Sequence, residues 1–170
     1  MFEINTHIGK LLHNDHVNTI STLQKLEGYL MTQTDKKPPA KDDDKSIAML
    51  KSIIKIAEDE VGRHFKFEEN YLFPALAEAG EVGMTQFLMT EHASILPVAE
   101  EMKTLAQNGL VEGFTAESWK SFFDLGMEMV EREIFHIQKE EMGLLSAISA
   151  LIEPEADFKL AETFAAFTGR

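Results

Sequence analysis

Apolar residues recur at steps of three and four along almost the whole chain, a spacing that predicts long amphipathic α-helices. The first runs from about Thr6 to Gln33, with Ile8, Leu11, Leu12, Ile20, Leu23, Leu26 and Leu30 on its stripe. It ends ahead of Lys36-Lys37-Pro38-Pro39, because consecutive prolines cannot extend a helix; that stretch and Asp42-Asp43-Asp44 read as a polar surface loop. A second helix is expected from Ser46, as N-cap, to about Ala77, with Gly80 supplying the left-handed residue after its end. Its seam, Leu50, Ile54, Ala57, Val61, His64, Glu68, Tyr71 and Ala75, alternates steps of four and three, as in helices packed at a small angle.

A third helix, about Val82 to Gln107, is expected to stop at Asn108-Gly109 and to bend at Pro97, which lacks a backbone donor. The fourth runs from about Ala116, behind Thr115 as N-cap, to Ile152, with Phe122, Leu125, Met129, His136, Glu140, Ala147 and Leu151 on its seam and Pro154 closing it. Phe158, Ala161, Phe164, Ala165 and Phe167 then predict a short amphipathic fifth helix, about 155–168, lying on the bundle or on a second subunit, so a homodimer stays open. The fold class is all-α: one domain over residues 1–170, with a four-helix bundle at about 6–152.

Composition narrows the chemistry. A net charge of -13 repels phosphate backbones and anionic lipid, which argues against nucleic-acid and membrane partners. There is no cysteine, so disulfides, thiolate nucleophiles, iron–sulfur clusters and thiolate zinc sites are excluded and any metal must be held by nitrogen and oxygen. The first ten residues lack a basic region followed by an apolar run, and no apolar stretch is long enough to span a bilayer, so the protein is read as cytoplasmic.

The seams contain an internal repeat. At an offset of 72, His64-x-x-x-Glu68-Glu69-x-x-Leu72 superposes on His136-x-x-x-Glu140-Glu141-x-x-Leu144, and at an offset of 76, Asp15-His16 superposes on Glu91-His92. Residues four apart lie one above the other on a helix, so the second and fourth helices each offer an imidazole and a carboxylate to one interior point. With His16 and His92 from the other two, they predict a pseudo-symmetric cage for two ions bridged by Glu68 and Glu140. A single His-x-x-x-Glu is usually a solvated pair, but these lie within apolar seams, where buried carboxylates cost several kcal/mol without compensation. His13, one turn before His16, is a candidate fifth imidazole. His7 reads as a surface residue, and Glu60 and Glu133 as solvated or imidazole-orienting carboxylates rather than ligands.

Asp15-His16, His64-x-x-x-Glu68-Glu69 with Leu72-Phe73-Pro74, Glu91-His92 and His136-x-x-x-Glu140-Glu141 together resemble the hemerythrin-like cation-binding domains over about residues 8–150. The resemblance implies an up-and-down bundle with a dinuclear iron centre on His16, His64, Glu68, His92, His136 and Glu140. It departs from the oxygen-carrying hemerythrins in two places: Leu96 stands where their third helix has a second histidine, and Glu140 follows its histidine by four where they use an aspartate at five. The match therefore moves from simple oxygen carriage towards sensors, iron-handling and repair proteins.

Imidazole and carboxylate suit iron, manganese or zinc, and the resemblance favours iron. Two six-coordinate ions need roughly twelve donors; five imidazoles, two bridging carboxylates and a bridging oxide or hydroxide supply about eleven. The position left over would take a small diatomic, O₂ or NO, or a peroxide. Redox catalysis, such as peroxide reduction or iron oxidation, is the enzymatic alternative, and a helical interaction module stapled by its metals is the non-chemical one.

Overall fold

The computed structural model describes residues 4–168, excepting the side chains of residues 59–61 and 168, so the expectations placed on Glu60 and Val61 lie outside the described side chains. Five helical rods follow one another: α1 (His7–Met31), α2 (44–78), α3 (Val82–Glu112), α4 (116–151) and α5 (Pro154–Thr168). Among the described residues no strand forms beyond an isolated bridge, Thr34 to Lys37, in the loop after α1. The first four rods close a ring, α1 on α2, α2 on α3, α3 on α4 and α4 on α1. The chain is all-α.

The core shows why the rods run up and down. One apolar cluster gathers Leu23, Leu26 and Leu30 of α1, Leu50 to Phe65 of α2, Ile95 to Ala106 of α3 and Trp119 to Val130 of α4. The other gathers Ile8 and Leu12, Phe67 to Leu76, Leu88, and Leu144 to Ile148. Each rod crosses from one cluster to the other, and successive rods cross in opposite senses. Burying each Leu, Ile or Phe is worth about 1.5–3 kcal/mol, so both ends of the bundle are held and the polar residues between them are fixed in place. Trp119, fully buried, donates from Nε1 to the Thr34 carbonyl at 2.7 Å and ties the loop after α1 to the foot of α4.

Helix ends depart from expectation for local reasons. Asp43, not Ser46, caps α2, its carboxylate accepting from the Ser46 amide at 2.8 Å and the Ser46 hydroxyl at 2.5 Å. Rod α3 runs past Asn108-Gly109 and stops at Gly113, whose φ of 83° only glycine adopts readily. Gly109 is needed for packing instead, since a Cβ there would lie 2.5 Å from the Phe114 ring. Gly80 ends α2 in left-handed backbone as expected, φ 104°. Pro154 opens α5 rather than merely closing α4.

The largest departure is in register. Rod α2 is π-helical over Ala57–His64 and Glu68–Leu72, and α4 over Glu140–Leu144. Each π turn inserts a residue into the helical repeat and rotates the part of the rod beyond it. Past Glu68 the buried face is therefore Leu72 and Leu76, with Tyr71 exposed and Ala75 half-buried, and past Glu140 it is Leu144, Leu145 and Ile148, with Leu151 exposed and Ala147 half-buried.

Rod α5 docks on its own bundle. Asp157 accepts from the His7 and Ile8 amides, both at 2.8 Å, and meets His7 Nδ1 at 2.9 Å, capping α1 from a distant part of the chain where Thr6 makes no side-chain cap. His7 is thus exposed but partnered. Asp157→Ala is expected to lower stability by about 1–2 kcal/mol, as lost caps do, and chemical denaturation checks it.

Candidate metal centre

Between the two apolar clusters lies one polar layer. His16 of α1, His64 and Glu68 of α2, His92 of α3, and His136 and Glu140 of α4 are all buried there. The structure brings together six of the seven residues singled out in the sequence. His13 stands apart: its side chain is 43% exposed and its Nδ1 meets Glu141 Oε2 at 2.8 Å.

The imidazoles form two pairs, His16 with His64 and His92 with His136, ring centroids 5.1 Å and 4.8 Å apart. Each glutamate spans both pairs. Glu68 places Oε1 3.2 Å from His64 Nε2 and Oε2 3.4 Å from His92 Nε2. Glu140 places Oε2 3.1 Å from His16 Nε2 and Oε1 3.0 Å from His136 Nε2. The ligand atoms fall into two groups, His16, His64, Glu68 and Glu140 in one, and His92, His136 and Glu140 in the other.

The other ring nitrogens all face carboxylates. His16 Nδ1 meets Glu141 at 2.6 Å, His92 Nδ1 meets Glu69 at 2.9 Å, His136 Nδ1 meets Glu91 at 3.1 Å, and His64 Nδ1 lies 3.6 Å from Asp15. The pattern repeats the internal symmetry: Glu69 and Glu141 follow Glu68 and Glu140, and Asp15 and Glu91 precede His16 and His92. Lys139 in turn pairs with Glu91. An ionised carboxylate only accepts, so each Nδ1 carries a hydrogen and each ring turns its Nε2 to the centre, where the nitrogen holds either a second proton or a lone pair free for a cation.

That arrangement needs positive charge. His92 Nε2 and His136 Nε2 lie 3.1 Å apart, a separation two lone pairs cannot hold without a proton or cation between them. His16 Nε2, His64 Nε2, both oxygens of Glu68 and Glu140 Oε1 are buried without an aligned hydrogen-bond partner. Burial opposes charging of the imidazoles, yet hydrogen bonds to Glu140 and Glu141 raise His16 to about 9, and those to Glu140 and Glu68 raise His92 to about 10. Against the same burial, the charge of Glu68 raises His64 and that of Glu140 raises His136. Burial likewise works against ionisation of Glu140, but the charge on His136 holds its carboxyl well below the usual range. The donor set, the orphaned atoms and the opposed lone pairs all fit metal cations.

The model of the hemerythrin HHE cation-binding domain matches residues 7–148. The chain belongs to the hemerythrin family. No curated protein matches the sequence. As a hemerythrin domain it is a helical bundle of a cation-binding family, and its buried His/Glu cluster could hold a cation. Among the described residues no helix is long and apolar enough to cross a membrane.

Some of the hemerythrin domain's site was missed in the sequence. Phe65 stacks on His92 with ring centroids 3.7 Å apart and planes nearly parallel, and Phe73 approaches the same ring. Phe164 of α5 meets His64 edge-on at 5.9 Å, so the fifth helix helps seal the centre. These aromatics are legible in the sequence only as core residues. Of the two readings of Glu133, the solvated one is overturned: the side chain is buried, and burial pushes its carboxyl up.

Proposed function

We propose that this domain holds two iron ions, one at His16 and His64 and one at His92 and His136, with Glu68 and Glu140 shared between them. The span of each glutamate across both imidazole pairs supports this reading most strongly. Manganese or zinc would suit the same donors. Iron bound there would supply reversible coordination of a small ligand, O₂, NO or a peroxide, at a position the protein leaves open.

The surrounding residues do the rest. Asp15, Glu69, Glu91 and Glu141 fix the tautomer and raise the basicity of the four imidazoles. Phe65, Phe73 and Phe164 keep bulk water from the rings and favour a small neutral ligand over a large polar one. Half-buried Leu96, one turn beyond His92, contributes no donor on that side. Glu141 is shared by His16 and His13, so His13 belongs to the support of the centre rather than to its ligands.

Protein loaded with Fe(II) without oxygen and then exposed to air or NO is expected to develop new visible absorption bands, absent from Glu68→Ala. A loaded protein that stays colourless with every one of these ligands would contradict the reading.

A further inference from the structure

The two halves of the centre match in the four buried imidazoles, in Glu68 and Glu140 and in their outer carboxylates, and they differ in one buried acidic residue. At the offset of 72 that superposes His64 on His136, Glu133 falls on Val61. Glu133 precedes His136 by three residues and Glu140 by seven, so the three side chains share one face of α4. It is 3% exposed, and its Oε2 has no hydrogen-bond partner.

A carboxylate buried without a partner costs several kcal/mol, and an apolar side chain of similar size would be cheaper. Packing therefore does not account for Glu133. The centre has a matching shortfall. Carboxylate oxygens come within 3.2 Å of both His64 Nε2 and His16 Nε2, whereas His92 Nε2 is met only at 3.4 Å by Glu68 and at 3.7 Å by Glu140. The unmatched carboxylate thus sits on the helix that supplies His136, and the position built from His92 and His136 is the one its shared carboxylates meet less closely.

We propose that Glu133 is a third carboxylate of the centre, supplying negative charge to the position framed by His92 and His136 and making the two metal positions unequal. This rests on the reading of the cage as a dinuclear metal centre. Glu133 acts on the ion directly or across one solvent molecule; either way it is spent on the second position and not on the first.

Calorimetric titration with Fe(II) under argon tests this on the wild type, Glu133→Gln and Glu133→Val. The expected result is two binding events in each protein, with the weaker event loosened about 10–100-fold in both variants and the tighter one nearly unchanged, the range seen when groups supporting a metal site are removed. Metal-free Glu133→Val is also expected to melt above metal-free wild type, because an orphaned buried carboxylate has been replaced by an apolar group. Two unchanged events in both variants would overturn the role of Glu133 and leave the cage standing. Loosening of both events together with a lower metal-free melting temperature would show a merely structural residue and also overturn it. A wild type that binds no Fe(II) would remove the underlying reading instead.

Discussion

Glu140→Ala is expected to leave the protein unable to hold a metal pair. Among the described residues Glu140 is the carboxylate that belongs to both groups of ligand atoms, touching His16 with one oxygen and His136 with the other. Removing an outer carboxylate typically costs 10–100-fold in affinity, so removing one shared between two ions should cost on the order of a hundredfold or more at each. Glu141→Ala should fall in the milder range, since Glu141 only supports His16 and His13. His13→Ala should change little. Metal content after dialysis against a fixed free-metal buffer ranks the three, and retention of two ions by Glu140→Ala would refute the shared-carboxylate arrangement. Glu140→Gln, which keeps the volume, separates lost ligation from lost packing.

Much of the fold and the centre is readable in the chain. The three-and-four spacing of Leu12, Leu23, Leu26 and Leu30 fixes α1, and the paired His-x-x-x-Glu motifs place an imidazole and a carboxylate on one face, because both depend only on local helical geometry. The face beyond each glutamate is not readable from a uniform helix. The seam drawn through Tyr71 and Ala75, or through Ala147 and Leu151, assumes regular α-helix, and the π turns at Glu68 and Glu140 displace it. A signal for that is present: Leu72 and Leu144 each come four residues after a bridging glutamate in both halves, and both are fully buried.

The outer carboxylates are visible as members of the repeat but not in their roles. Each reaches a histidine on a different helix, Glu141 to α1, Asp15 to α2, Glu69 to α3 and Glu91 to α4, so the pairings exist only once the rods are packed. The docking of α5 is undecidable from sequence for a similar reason. Its apolar stripe fits any apolar surface, and the Asp157 cap on α1 is what settles it on its own bundle.

Metal affinity is expected to rise steeply with pH. Histidines 16 and 92 hold protons up to about 9 and about 10 in the metal-free cage, so an entering cation at neutral pH must displace them. Each proton released makes the affinity change about tenfold per pH unit, tightening from pH 6 towards 9. The metal-free fold runs the other way. A folded-state pKa raised above the ordinary 6.5 contributes stability that is full below pH 6.5 and is lost as pH rises through about 9 to 10. Opposite slopes, metal binding stronger and the empty fold weaker across that window, are the signature of a cage that trades protons for metal. Flat or parallel slopes would show that the buried imidazoles are not the ligands.

The most direct measurement is the number of Fe(II) ions bound per chain under anaerobic conditions, with released protons counted in the same titration. Two ions per chain with accompanying proton release is the predicted result. No bound iron, or iron bound without proton release and undisturbed by Glu140→Ala, would contradict a metal centre built from the four imidazoles and two glutamates.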